Sequence, residues 1–187
     1  MRVIAGKLRG LRLKSIGSTP ANKSLRPTTD RVRENLFNIL SGGKYGNILN
    51  GARVLDMFAG TGILGIEAIS RGASHATLFE KCVSTFKLIQ DNIKLTNTIN
   101  EINVMNTNVM HLEQYKTEPF NLVFIDPPYQ KNFGKPALAR ALEFGWLSEG
   151  ALVVWEESAS PEVPKEFEWL GEKKYGDTGL NFLNTSN

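Results

Sequence analysis

Cysteine is almost missing from this chain: Cys82 is the only one among 187 residues, and the only histidines are His75 and His111. No internal disulfide can form, no zinc cluster is expected, and no metal is assigned. A lone thiol without a second cysteine-bearing motif also disfavours chemistry through a thiolate nucleophile, so Cys82 reads as a small packing residue. Long apolar runs are missing too. None could span a bilayer, and Met1 to Lys7 is too short for a signal-peptide core, so a cytoplasmic protein is expected. Internal repeats and low-complexity tracts are absent. What remains is an ordinary globular composition, 41% hydrophobic, at a length that buries one core without staples.

Charge is unevenly spread. Residues 1–33 hold nine lysines and arginines (Arg2, Lys7, Arg9, Arg12, Lys14, Lys23, Arg26, Arg31, Arg33) against Asp30 alone, so they carry +8 of a net +3 and leave −5 for the rest. A basic arm on an acidic body is the asymmetry of a nucleic-acid grip. The alternation around Arg2-Val3-Ile4 and Leu11-Arg12-Leu13 predicts a hairpin that holds these cations in register. Arg2, Lys7, Arg9, Arg12, Lys14, Arg26 and Arg31 are the candidate nucleic-acid contacts; Arg31 and Arg33 could equally pair locally, and with Glu34 they read as the polar face of a core helix or, by resemblance to known enzymes, as a cover over a cofactor.

Periodicity then predicts a helix from Thr28 to Leu40, with Val32, Leu36, Ile39 and Leu40 on one face. A glycine-rich linker covers Ser41 to Gly51. Strands follow near 53–57, 76–80, 102–106, 121–125 and 151–156, with helical segments between. A final pair near 166–175 and 180–183 turns through Gly176 to Gly179. Alternating units with a terminal hairpin predict an open α/β sheet, mainly parallel, with one antiparallel edge strand. Two units are expected, residues 1–40 as basic hairpin and helix and residues 41–187 as the α/β body; resemblance to known enzymes, carried by the motifs that follow, implies an RNA grip and cofactor lid for the first and catalysis for the second.

Two motifs carry chemistry. Arg53-Val54-Leu55-Asp56-Met57 reads as a buried strand, Phe58-Ala59-Gly60-Thr61-Gly62 as a tight glycine turn, and Ile63 to Arg71 as a helix closing at Gly72. Gly60 and Gly62 let the backbone approach a ligand that a Cβ would exclude, beside the unpaired amides of a helix start. Gly60 to Gly65 also matches the dinucleotide fingerprint, so the glycines alone leave the cofactor open. Asp56 would crowd a pyrophosphate but suit a cationic amine, and Glu80, ending the next strand, is spaced to accept from ribose hydroxyls. An adenosyl amino acid fits this pair better than a nicotinamide dinucleotide.

The second motif is Asp126-Pro127-Pro128-Tyr129, at the end of the apolar run Asn121-Leu122-Val123-Phe124-Ile125. The prolines have no N–H, so the carbonyls there join no helix. The Asp126 carboxylate and the Pro127 carbonyl form an acceptor pair suited to an exocyclic –NH2, and Tyr129 offers a face on which a base can stack.

With these motifs in order, the chain resembles the S-adenosylmethionine-dependent amino-methyltransferases. The opening Met1 to Gly10, Leu25 to Glu34, Glu67 to Ala73 and Lys174 to Thr178 narrow the resemblance to the bacterial RsmD family, over nearly the whole length. That resemblance implies a Rossmann-like class I methyltransferase fold, with a seven-stranded mainly parallel sheet, a C-terminal antiparallel hairpin and a basic N-terminal β-hairpin. It implies S-adenosyl-L-methionine as cofactor and, as substrate, the N2 amine of one guanine in 16S ribosomal RNA. The partner is then that RNA or the small ribosomal subunit, bound by a monomer. Asp126, Pro127 and Tyr129 are the implied catalytic residues; Asp56, Phe58, Gly60, Gly62, Glu80, Lys81, Asn108, Val109 and Asp126 are the implied cofactor contacts, with Lys81 otherwise a surface residue. Where relatives commonly place an Asp toward adenine, this chain has Asn108, whose amide oxygen accepts without charge.

Direct in-line transfer is the expected mechanism, Asp126 and the Pro127 carbonyl accepting from the amine and offsetting charge on nitrogen. A guanine inside a helix cannot reach such a pocket, so it is flipped or already looped out. The nearest rival is N6-adenine methylation of DNA or RNA. Only 58 residues follow Tyr129, and finishing the sheet uses them, leaving no region to read a DNA sequence. A glutamine methyltransferase would more typically carry Asn at position 126. A non-catalytic RNA-binding module with a decayed cofactor pocket is the alternative of another class.

Overall fold

The computed structural model describes residues 1–15, 30–128 and 132–186. Tyr129, Arg26, Lys23 and the start of the first predicted helix lie outside the described residues.

A seven-stranded sheet forms the centre. Its strands are β3 (Arg53–Asp56), β4 (His75–Phe79), β5 (Ile102–Met105), β6 (Phe120–Ile125), β7 (Leu147–Glu157), β8 (Phe167–Tyr175) and β9 (Thr178–Thr185). They lie in the order β5-β4-β3-β6-β7-β9-β8. The first five are mutually parallel. β9 runs antiparallel to both β7 and β8. The single reversed strand is therefore inserted next to the edge, and the edge strand β8 again follows the parallel direction. Gly176, at φ 62, makes the β8–β9 turn tighter than the sequence suggests, with Tyr175 already opposite Thr178.

The parallel strands are nearly continuous apolar runs because helices cover both faces. One core layer gathers Val54, Leu122, Phe124, Leu152 and Val154 under α1 (Asp30–Leu40), α2 (Ile63–Ser70) and α3 (Val83–Thr96). The other gathers Leu55, Val123, Ile125, Val153 and Trp155 with α4 (Gly134–Glu143). Gly65 is what lets α2 settle on β4, since a Cβ there would lie 2.4 Å from Leu78 Cδ2.

Several expectations change in detail. On α1 the buried face is Val32, Arg33, Leu36, Phe37 and Leu40, while Ile39 is only half buried. The Ser41–Gly51 stretch is not only linker: β1 (Ser41–Gly43) and β2 (Gly46–Asn47) pair antiparallel within it. β7 starts at Leu147 rather than near 151, because it spends Leu147 to Leu152 where β6 spends Phe120 to Leu122, a bulge that admits Gly150 at φ 68. Cys82 is exposed at the N-cap of α3, not packed.

The N-terminal hairpin is short. Arg2 and Arg12 form one antiparallel bridge, flanked by Val3 N–H to the Leu11 carbonyl (3.0 Å) and Leu13 N–H to the Met1 carbonyl (3.1 Å). A 3-10 turn at Gly6–Leu8 interrupts it. Helix side chains strap the arm to the body: the buried Glu67 accepts from Ile4 N–H (2.8 Å) and Ala5 N–H (3.0 Å), Ser70 Oγ accepts from Leu8 N–H, and Asn92 bonds both the N–H and the carbonyl of Lys14. Gly6, at φ 80, sits so close that a Cβ would lie 1.8 Å from the Ser70 carbonyl oxygen.

Candidate active site

From β3 the chain goes to β4 and β5 on one side, then crosses to β6 and β7 on the other. The carboxyl ends of β3 and β6 therefore flank the topological switch point, where open α/β sheets leave a crevice. Asp56 ends β3 and Asp126 follows β6 on one wall each, and Glu80 follows β4.

Asp56 is 1% exposed, and neither carboxylate oxygen meets a partner at full hydrogen-bond geometry, the Phe58 amide being only a loose neighbour. Burial raises its pKa to about 7; the Phe58 amide opposes that rise and Glu80 adds to it. A buried carboxylate left this way is costly unless something cationic reaches it. The turn beyond it has room for such a group at Gly60, φ 54, where a Cβ would meet only the Phe58 carbonyl oxygen at 4.0 Å; Gly62, φ 77, instead admits the core, since a Cβ there would lie 3.0 Å from Ile89. Orphaned acid and open turn together fit the amino-acid end of an adenosyl amino acid.

Glu80 is half buried, and desolvation lifts its pKa while the amides of Cys82, Gly60 and Lys81 pull it back. Its Oε1 accepts from Cys82 N–H at 2.7 Å, which aims the carboxylate across the end of β4 beside the glycine turn. Lys81 is exposed, with its ammonium 5.7 Å from the Phe133 ring centre. Phe58 is half buried on the loop, whereas Val109 turns its side chain into the core with Leu55 and Phe79. Asn108 caps the 3-10 turn Val109–His111, its Oδ1 accepting from Met110 N–H at 3.1 Å. One of its two oxygen lone pairs is thus engaged by the backbone, a role the sequence does not reveal.

Asp126 has its pKa raised well above the ordinary value by burial, then by the neighbouring Glu156, Asp56 and Glu157 carboxylates. Pro127 beside it is buried. Glu156 on β7 is the acid that sequence reading passes over. Its only signal is its position one residue past Trp155, which pairs with Ile125 just before Asp126.

Of the basic residues, Arg2, Lys7, Arg9, Arg12, Lys14 and Arg31 are all exposed. Three meet acids of the body or α1: Lys7 with Glu101 (2.9 Å), Lys14 with Asp91 (2.8 Å) and Arg2, loosely, with Asp30 (3.9 Å). Arg33 is buried and pairs with Asp30 and the Arg2 carbonyl, so it braces α1 against the arm. Among the described residues no group of acids, histidines and cysteine could hold a metal ion, and no helix is long and apolar enough to cross a membrane.

A mainly parallel seven-stranded sheet with a reversed strand beside its edge, bearing a glycine turn and acid-ended strands at the switch point, defines a class I methyltransferase fold. The family described as Conserved hypothetical protein 95 matches residues 1–184. Ribosomal RNA small subunit methyltransferase D of Escherichia coli is 37% identical over 179 residues, spanning 94% of this chain and 85% of that protein. Its counterpart in Buchnera aphidicola is 36% identical over 173 residues, 92% and 85% of the two chains. The solved structure of YhhF from Escherichia coli superposes with a TM-score of 0.84 at 32% identity, covering 100% of this chain and 98% of that one. This chain belongs to the RsmD family of methyltransferases, and that membership implies S-adenosylmethionine as its cofactor.

Proposed function

We propose that this protein moves a methyl group from S-adenosylmethionine to the exocyclic N2 amine of one guanine in 16S ribosomal RNA, on the small subunit or an assembly intermediate of it. The observation that carries the reading is the placement of Asp126 beside the unpartnered Asp56 carboxylate at the switch point. The names of the relatives point the same way for substrate.

Bound at the glycine turn, the cofactor supplies an electrophilic methyl group on a sulfonium. The chain's own residues do the rest. Ionised Asp56 holds the ammonium, Glu80 accepts from ribose hydroxyls, and the loop carrying Phe58, Gly60 and Gly62 shapes the floor. Asn108 offers its remaining lone pair, and Val109 its backbone, at the adenine end. Lys81 stands outside this set by its exposure and its contact with Phe133, and is proposed as a rim residue.

At the other wall Asp126 and the Pro127 carbonyl accept from the amine, localise its lone pair and offset the charge that grows on nitrogen. Tyr129 stacks on the base, a contact worth about 1–3 kcal/mol. Methylated nitrogen is far more acidic than the starting amine, so its proton can leave after transfer without a strong base. Arg2, Lys7, Arg9, Arg12, Lys14, Arg26 and Arg31 form the RNA grip of residues 1–40, with residues 41–187 as the catalytic domain.

The test is a tritiated-methyl assay on undermethylated small subunits, with calorimetry of cofactor binding alongside. Asp126→Ala is expected to abolish labelling and to keep cofactor affinity within a few-fold. Persistent labelling would remove Asp126 from the mechanism.

A further inference from the structure

The acid excess of the body lies in one part of it. Residues 107–187 hold twelve acids against seven lysines and arginines, which is the whole −5, while residues 34–106 hold six of each. Within that balanced part, which builds β3 to β5 with α2 and α3, Asp56 and Glu67 are buried, and Asp91 and Glu101 already face Lys14 and Lys7 of the arm. Lys87 and Lys94 are left on the outside of α3. Both are exposed, and neither forms an ion pair among the described residues. The helix buries Thr85, Ile89, Asn92, Ile93 and Thr96, so at 3.6 residues per turn the two lysines fall together on the side turned away from the sheet. They stand at i−4 and i+3 from Asp91, which makes all three surface neighbours. Asp91 is the acid that takes Lys14 Nζ at 2.8 Å. The Lys14 hydrogen bond, and more weakly the charge of Lys94, hold its carboxyl below the usual range. On the arm, Arg12 and Lys14 are exposed on either side of the buried Leu13, and Arg2 bridges Arg12. The arm's row of cations therefore continues through Lys14 onto α3, a helix whose first residue, Val83, comes just after Glu80 at the crevice.

We infer that the outer face of α3 is a second part of the RNA interface, with Lys87 and Lys94 each meeting a backbone phosphate of the RNA that the arm holds. This rests on the RNA reading proposed above and extends it from residues 1–40 onto the catalytic body. The two lysines are seven residues apart, about 10 Å along the helix axis, so each takes a phosphate of its own. An ammonium is a point charge that fixes the position of a phosphate without reading a base, so this face sets affinity and register, not sequence. The acid excess of residues 107–187 turns a polyanion away from the rest of the body and toward the arm and α3. A strand lying along this row leads to the crevice, where the methyl group is transferred.

The test is filter binding of naked small-subunit RNA, and of small subunits, across a salt series. Lys87→Ala and Lys94→Ala should each weaken RNA binding several-fold and each lower the slope of log affinity against log salt by about 0.7–0.9, the value of one released counterion. The double variant should lower it by about twice as much. Lys87→Arg and Lys94→Arg, which keep the charge, should match wild type, as should Lys116→Ala, an exposed lysine in the acid-rich part. Cofactor affinity by calorimetry should be the same in every variant, which shows that the body is intact. Wild-type affinity and slope in the double variant, beside a clear fall in Arg9→Ala, would overturn the inference and confine the RNA interface to the arm. A double variant that binds naked RNA like wild type but small subunits more weakly would also overturn it, assigning the face to a protein of the subunit. If Arg9→Ala and Arg12→Ala change nothing either, it is the RNA reading of the arm that fails.

Discussion

Asp56 concentrates the physical cost of the site in one residue. Its pKa rises from 3.8 to about 7 on folding, so between those pH values the folded protein holds a proton that the unfolded chain has released. Stability of the ligand-free protein must then fall as pH climbs from about 4 to about 7 and level off above, the opposite of an ion-paired carboxylate. Asp126, raised for the same reasons, acts with the same sign. Urea denaturation across that range should show the decline, and Asp56→Asn should flatten much of it while adding about 1–2 kcal/mol at pH 8, where the buried charge is fully formed. Cofactor binding should move the other way. Ionised Asp56 is the partner of the ammonium, so affinity by calorimetry should strengthen as pH rises through about 7 in wild type and stay nearly flat in Asp56→Asn.

The element that departs furthest from its sequence pattern is the N-terminal arm. Alternation there indicates a regular hairpin, yet the arm makes one bridge and then wraps over α2 and α3, because Glu67, Ser70 and Asn92 satisfy its backbone groups in place of a strand. Nothing local in the sequence announces a partner more than sixty residues away. Glu67 takes Arg71 of its own helix at 2.8 Å, but its larger role is to receive two arm amides. Glu67→Ala should therefore cost about 3–5 kcal/mol in chemical denaturation, since it strands the largely buried Arg71 and frees two amides. Gly6→Ala is the milder lever: with backbone 1.8 Å from the added Cβ, the arm must lift. RNA affinity should drop several-fold in that variant while cofactor affinity holds. The parallel strands, by contrast, were plain in the sequence, because burial on both faces writes itself as apolar runs. Where the strand ends depended on a bulge at Gly150 and a two-residue turn at Gly176, their bounds did not show.

At the scale of the molecule, charge separates into a +8 stretch over residues 1–33 and a −5 remainder. Arg9 and Arg12 have no side-chain partner among the described residues, whereas Lys7 and Lys14 already face Glu101 and Asp91. Each arginine that meets a phosphate releases about one counterion. Arg9→Ala and Arg12→Ala should thus each lower the slope of log affinity against log salt by about one, and Lys7→Ala or Lys14→Ala by clearly less. Fold and motif positions were legible because strand–turn–helix chemistry is local; that Asp56 and Asp126 meet on neighbouring strands shows only in the sheet order. Glu156 and the Asn108 cap were not, because strand register and a short turn brought them into place. The measurement closest to the central claim is mass spectrometric nucleoside analysis of small-subunit RNA after incubation with the protein and trideuteromethyl-labelled S-adenosylmethionine. The account predicts labelled N2-methylguanosine approaching one per RNA; labelled N6-methyladenosine in its place, or no labelled nucleoside, would contradict it.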